Sequence, residues 1–241
     1  MRNYGVIGFP LTHTFSPEYF KKNFLKENIA ATYAAFPIED LNQIHSIVKE
    51  KKLNGFNVTI PYKEKIISMV DSLDNEAKEI GAVNCVKVEN EKLIGFNTDA
   101  YGFQVSLNEV MKSKHQNALI LGTGGAARAV KYILQKSGID FKTVVRDKSK
   151  GDILWRDLTE KQISENTLIV NCTPLGMFPN ESSFPPISYS ALTDMHLLFD
   201  LIYNPEQTLF MKKGLEKGAT VVNGFRMLEL QADKSWEIWN S

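Results

Sequence analysis

The chain is predicted to be α/β, built as two open α/β domains, on three observations. Short apolar runs suited to strands alternate with segments of helical periodicity from end to end, which argues for mostly parallel sheets with helices on their faces. In the middle, the apolar run 118–121 passes straight into Gly122, Gly124 and Gly125 and then into the helix-forming stretch 126–135, giving strand, tight turn and helix. The 241 residues, 43% hydrophobic and 23% charged, can bury a sizeable core, and the central position of the glycine turn favours two domains over one.

That turn is the most informative stretch. Gly122, Gly124 and Ala127 fit the G-x-G-x-x-G/A spacing, in which the first glycine makes the turn and the second lets backbone approach a pyrophosphate. The small third residue allows close helix–strand packing. Backbone N–H groups along Gly122, Thr123, Gly124, Gly125 and Ala126 would face the phosphates with the positive end of the helix dipole behind them. The bland alternative is a βα turn with no ligand.

About twenty residues further on, strand 141–145 ends at Arg146-Asp147, where a dinucleotide domain reads the adenosine ribose. An acid there takes the 2′-hydroxyl of NAD and an Arg takes the 2′-phosphate of NADP. Arg146, with Lys148 and Lys150 behind it, favours NADP, whereas Asp147 repels a phosphate and keeps NAD as the alternative. Strand 168–171 runs into a loop holding Thr173, where a nicotinamide ribose could lie.

Composition narrows the partners. With 28 basic and 28 acidic residues, and neither a basic block nor an acidic tail, the electrostatic footprint of a nucleic-acid binder is missing, and a small-molecule ligand is favoured. Cys85 and Cys172 lack metal-ligand or C-x-x-C spacing and read as buried free thiols in a reducing compartment. The chain enters a strand pattern at once and has no apolar run near 18 residues, so neither a signal peptide nor a membrane span is expected, and the cytoplasm is.

In chain order, strand 4–9 leads through a polar loop with Thr14 and Ser16 to Pro17 and a helix to about residue 28. Ser16 before Pro17 suits an N-cap. The functional alternative is that Thr14 and Ser16, two apart on an extended loop, aim two hydroxyls at one anionic group. His13 reads as a loop-packing residue. Strand 32–36 follows, then a helix over 40–52 with Leu41, Ile44, Ile47 and Val48 on one face, then strand 55–60.

Ligands gather outside the carboxyl ends of parallel strands, where Asn57, Thr59 and Lys63 fall. Lys63 is expected in the first turn of a helix, where a cation opposes the dipole and so needs a reason to be there. A helix over 73–80 stops at Gly81, and strands 82–88 and 93–96 form a hairpin that Asn84 and Asn97 interrupt or end. Asp99 begins the next helix as an N-cap or first-turn acid. Beyond the dinucleotide turn come an ordered proline-rich loop, 179–189, strand 196–201, helix 206–217, strand 219–222, and a last helix opened by Asn223-Gly224.

Together these loops resemble the shikimate dehydrogenase family over essentially the whole chain. Residues 8–17 look like its G-x-P-x-x-H-S-x-S-P loop, 57–63 like N-V-T-x-P-[FY]-K, and 81–84 like G-A-V-N. Residues 97–102 match N-T-D-x-x-G, 122–126 match G-x-G-G-A, and 223–232 match N/D-G-x-x-M-L-x-x-Q-A. The resemblance implies an N-terminal substrate-binding domain, residues 1–100 joined by the last helix, 224–241, and a Rossmann-type NADP domain, residues 101–223, with a cleft between them.

It further implies reversible NADPH-dependent reduction of 3-dehydroshikimate to shikimate in aromatic amino acid biosynthesis, by a monomer or homodimer without nucleic-acid or membrane partners. Carried over by residue, Lys63 and Asp99 are the catalytic pair, Thr14 and Ser16 hold the substrate carboxylate, and Asn57, Thr59, Asn84, Tyr203 and Gln231 take the ring. Gly224 joins the cofactor residues, and no metal is implied. The family's usual Ser is Thr14 here, whose extra methyl narrows the carboxylate end and bears on shikimate against quinate. Val145 and Asp147 replace the Asn and Thr of its Asn-Arg-Thr pattern, and Pro174 and Leu175 alter its T-S-x-G-M loop. The alternatives are an NAD-preferring quinate/shikimate dehydrogenase and a silent nicotinamide- or metabolite-sensing module. Retention of both Lys63 and Asp99 argues against the silent module.

Overall fold

A computed structural model describes residues 1–11 and 14–241, so the expectation for His13 lies outside the described residues. The chain divides into two compact units, Met1–Thr98 with Gln231–Ser241, and Asp99–Leu230.

The first unit contains β1 (Arg2–Gly8), α1 (Ser16–Lys26), β2 (Ala31–Pro37), α2 (Ile44–Lys51), β3 (Leu53–Val58), β4 (Ser72–Leu73), α3 (Asn75–Ile80), β5 (Cys85–Glu89) and β6 (Lys92–Phe96). Its sheet runs β2-β1-β3-β5-β6-β4. β1 pairs parallel with β2 and β3, and β5 pairs antiparallel with β3 and β6, so the expected hairpin is the antiparallel insert. Successive strand residues face opposite sides. Phe56 and Val86 accordingly join Ile7 and Ile44 in one core cluster, while Cys85 and Tyr4 join Phe20, Phe24 and Trp239 in another.

Several boundaries move for local reasons. The helix expected from 73 begins at Asn75, because Asp74 caps it by accepting from the N–H groups of Glu76 and Ala77. After Pro61 the chain makes a turn and only then a short 3-10 helix, Lys65–Met69. Lys63 therefore precedes that helix, and the dipole argument does not apply to it.

The second unit holds α4 (Thr98–Asn108, its first residue in the first unit), β7 (Asn117–Leu121), α5 (Gly125–Lys136), β8 (Asp140–Val145), β9 (Ile153–Leu154), α6 (Glu160–Glu165), β10 (Leu168–Asn171), β11 (Leu197–Asp200), α7 (Leu209–Leu215) and β12 (Thr220–Val222). The sheet, β12-β11-β10-β7-β8-β9, is parallel throughout. That order is the doubly wound Rossmann arrangement, with its switch point between β7 and β10. The last helix, α8 (Phe225–Asn240), is shared, and the division falls at Gln231 within it instead of at 224. Among the described residues no helix is long and apolar enough to cross a membrane.

Candidate active site

In the first unit the expected substrate residues Asn57, Asn84 and Gln231 fall into one hydrogen-bonded network, and Ser16 does not join it by a hydrogen bond among the described residues. Ser16 is the first residue of α1, not its cap; Phe15 holds the cap position and no side chain caps the helix. Burial holds the Tyr33 hydroxyl well above its ordinary value. Tyr33 stays neutral, and its hydroxyl donates a hydrogen bond to Asn57 Oδ1 at 2.8 Å. Asn57 Nδ2 donates onward to the Asn84 carbonyl at 3.1 Å and to Ser235 Oγ at 2.8 Å.

Asn84 Oδ1 accepts the backbone N–H of Thr98 at 2.6 Å, and Asn84 Nδ2 donates to Thr98 Oγ1 at 3.0 Å and Gln231 Oε1 at 3.3 Å. Asn57, Asn84, Thr98, Gln231 and Ser235 are all buried. Buried polar groups left unpaired cost about 1–3 kcal/mol each, so a mutually bonded set of this size fixes its members' orientation. The linked groups are neutral amides and hydroxyls, a donor and acceptor set suited to a polyhydroxylated ring. Tyr33, Thr98 and Ser235 were not singled out in the sequence.

The segment carrying Lys63 is pinned to the same region. Tyr62 is buried and its hydroxyl donates to the carbonyls of Ile38 and Glu39 at 2.6 and 2.7 Å. One residue later the Lys63 carbonyl accepts the N–H of Val83 at 2.7 Å, next to Asn84. Asn97 Nδ2 donates to the Ala82 carbonyl at 2.8 Å, tying loop 81–84 to the start of α4. Asp99 follows Thr98 directly and is a buried acid in the first turn of α4. Thr59 directly follows β3, and its carbonyl accepts the Tyr62 N–H at 2.9 Å. Thr14 and Lys63 are both half-buried.

Cys85 borders the network, and burial pushes its thiol up to about 12. Cys172 is raised by burial as well. Both are free thiols, and neither is the thiolate a nucleophile requires.

In the second unit the glycine turn lies at the switch point. Gly122 has φ +102, a conformation favouring glycine, and a side chain there would meet Thr173 Cγ2 at 3.0 Å. Gly124 is the cap of α5, a side chain on it would point into open space, and no side chain caps the helix. The first N–H groups of α5 are thus offered to a bound anion, and buried Ala127 lets the helix sit close on the sheet. This arrangement fits a dinucleotide. Thr123, Gly125 and Ala126 line the same turn, half-buried, and the loop after β10 comes beside it through the 2.9 Å bond from Cys172 N–H to the Leu121 carbonyl.

Past β8, Arg146 and Asp147 are exposed. Asp147 Oδ1 accepts the N–H and hydroxyl of Ser149, at 3.1 and 2.9 Å, as the cap of a 3-10 turn. Those bonds hold its carboxyl below the usual range and draw it onto its own backbone. Lys148 donates to the Asp152 carbonyl. Among the described residues the Arg146 guanidinium makes no hydrogen bond or ion pair. Gly224 is buried for a packing reason: a side chain there would meet the Leu201 carbonyl at 2.2 Å, and its N–H donates to the Ile202 carbonyl at 3.0 Å. It therefore supports the loop bearing half-buried Tyr203.

Residues 6–86 match the family model of the shikimate dehydrogenase substrate binding domain. The chain is 38% identical over 253 residues to the shikimate dehydrogenase (NADP(+)) of Methanococcus aeolicus, covering 98% of this chain and 90% of that one. It resembles the crystal structure of shikimate 5-dehydrogenase from Thermus thermophilus in complex with NADP(H) and shikimate, with TM-score 0.89 and 30% identity over 99% of this chain and 93% of the other. Quinate dehydrogenase from Corynebacterium glutamicum in complex with NAD matches with TM-score 0.88 and 25% identity over 99% and 93%. With both sheets, the network of neutral amides and hydroxyls and the glycine turn accounted for, and full-length relatives this similar, the chain belongs to the shikimate dehydrogenase family.

Proposed function

We propose that the protein is an NADP-dependent shikimate dehydrogenase that interconverts 3-dehydroshikimate and shikimate in the cytoplasm. The observation that carries this reading is the buried neutral network of Asn57, Asn84, Thr98, Gln231 and Ser235, with Asp99 next to Thr98 in the chain and the Lys63 carbonyl bonded to the N–H of Val83, beside Asn84. NADPH, when bound, supplies the hydride. The chain supplies the rest. Lys63 faces the reacting oxygen, stabilises the developing alkoxide and donates its proton, and Asp99 orients the ammonium group. Thr14 and Ser16 hold the carboxylate, while Asn57, Thr59, Asn84, Tyr203 and Gln231 fix the ring.

On the cofactor side, the turn from Gly122 to Ala126 holds the pyrophosphate, Thr173 the nicotinamide ribose, and Arg146 the 2′-phosphate. Asp147 is occupied as a cap, which lessens its claim on a ribose hydroxyl. The second reading, a quinate/shikimate dehydrogenase preferring NAD, is supported by the likeness to the Corynebacterium quinate dehydrogenase in complex with NAD.

Initial rates with shikimate and quinate, each against NADP and NAD, decide between them. Shikimate with NADP should be fastest. Quinate with NAD leading would establish the second reading, and no turnover in any combination would refute both. Arg146→Ala should raise KM for NADPH by about tenfold or more, since it removes a charge-assisted phosphate contact, and leave KM for NADH nearly unchanged. Equal weakening of the two would remove Arg146 from the phosphate site.

A further inference from the structure

Asp200 is a fully buried carboxylate at the carboxyl end of β11, in the second unit, and the functional assignment above gives it no task. It accepts three hydrogen bonds. Asn171 Nδ2 donates to Oδ1 at 2.9 Å, the backbone N–H of Ile202 donates to Oδ1 at 3.1 Å, and Thr208 Oγ1 donates to Oδ2 at 2.6 Å. Each donor controls a different piece of backbone. Asn171 Oδ1 accepts both the N–H and the hydroxyl of Thr173, at 3.0 and 2.7 Å. Ile202 precedes Tyr203. Thr208 caps α7 and packs on the loop after β10, where a side chain added at Gly176 would meet its Cβ at 3.3 Å. A further tie runs from the Phe178 N–H to the Asn204 carbonyl at 3.1 Å. Loops 172–178 and 201–208 are thus clamped to each other, and the carboxylate is bonded to the strand end, the loop backbone and the helix cap together.

We infer that Asp200 is a positioning residue for the reaction: through Asn171 and Thr208 it sets the register of the two loops that carry Thr173 and Tyr203, and hence the placement of the nicotinamide end of the cofactor. The inference rests on the shikimate dehydrogenase reading. A carboxylate suits the task because all three neighbours are donors, and an amide in its place turns one acceptor into a donor facing Thr208.

The test compares wild type with Asp200→Asn, Thr208→Val and Thr208→Ser. It measures kcat, KM for NADPH, the dissociation constant of NADPH by fluorescence, and that of shikimate without cofactor. Thr208→Val keeps the volume and removes the hydroxyl, whereas Thr208→Ser keeps the hydroxyl. Asp200→Asn and Thr208→Val should lower kcat and weaken NADPH by about tenfold or more, as small displacements of a positioned group do, and weaken shikimate as well through the displaced Tyr203 loop. Thr208→Ser should stay within about twofold of wild type, since it retains the bond.

Loss of thermal stability with wild-type kcat and NADPH affinity, or equal effects of Thr208→Val and Thr208→Ser, would overturn the inference. If Asp200→Asn does not fold, the two Thr208 variants decide it. Failure of wild type to turn over shikimate would refute the parent reading alone, because the ratio of NADPH dissociation constants, variant to wild type, still decides whether Asp200 positions the cofactor loops.

Discussion

Lys63 is the side chain on which the proposed chemistry turns, and the two ties beside it, at Tyr62 and Val83, leave little freedom in its backbone. Removal of a group that acts at the reacting oxygen lowers kcat and spares ground-state binding. Lys63→Ala should reduce kcat by about 10²-fold or more with little change in KM for shikimate. A large rise in KM with kcat intact would make Lys63 a binding residue only. Asp200 gives the contrasting case of a titration. Burial, partly offset by the bonds from Thr208, Ile202 and Asn171, raises its carboxyl from 3.8 to about 6. The titratable groups facing it, Cys172 and Tyr189, are themselves raised, chiefly by burial, and stay neutral. Because the folded value lies above the unfolded one, the stability this group contributes is fully present below about pH 4 and is lost as pH rises through about 6. Denaturation curves of wild type and Asp200→Asn should therefore show the difference, wild type minus variant, falling by on the order of 3 kcal/mol from about pH 4 to about pH 7. A difference independent of pH would mean that Asp200 titrates at its unfolded value. Residues of this kind leave a faint trace in the sequence. The glycine spacing around Gly122 was legible because its geometry is local, whereas Ser235 and Asn57 meet from 178 positions apart and no spacing rule links them.

At the scale of elements, the strands and the long helices were readable because periodicity reports burial directly, as it does for the apolar run that became β7. The short elements were not. β9 has only two residues, Ile153–Leu154, too few for any period to show. α6 is different: Thr159 and Gln162 form a capping box, a signature present in the sequence that would have placed the helix start. The prediction that belongs here concerns the covering of the first sheet by α1 and α8. Trp239 stacks on Tyr4 with ring centroids 4.7 Å apart and lies against Phe20 at 5.6 Å, and its indole N–H donates to the Val86 carbonyl at 3.0 Å. Replacing a buried aromatic of this size leaves a cavity and a strand carbonyl without its partner. Trp239→Ala should destabilise the first unit by about 3–5 kcal/mol in urea denaturation. A cost below about 1 kcal/mol would show that the helix can repack without it.

The first unit as a whole is discontinuous, made of Met1–Thr98 and the returning segment Gln231–Ser241. That segment is structural. Arg2 bonds Asn240 and lies over the Trp236 ring, 5.1 Å from its centroid, while Lys87 Nζ donates to the Ser241 carbonyl at 2.7 Å. It also supplies Gln231 and Ser235, acceptors for the Asn84 and Asn57 amides. A chain ended after Leu230 therefore loses one cover of the first sheet and strands two buried amides at the site, yet keeps every strand of the second sheet. Hydrogen exchange on that truncated chain should show protection lost along β1, β3 and β5 and kept along β7, β10 and β11, with shikimate binding abolished and NADPH binding retained. Loss of protection in both sheets together would mean that the two units fold as one cooperative block. Retained protection in β1, β3 and β5 would mean that the aromatic cluster and the buried amides contribute far less than burial of this extent implies.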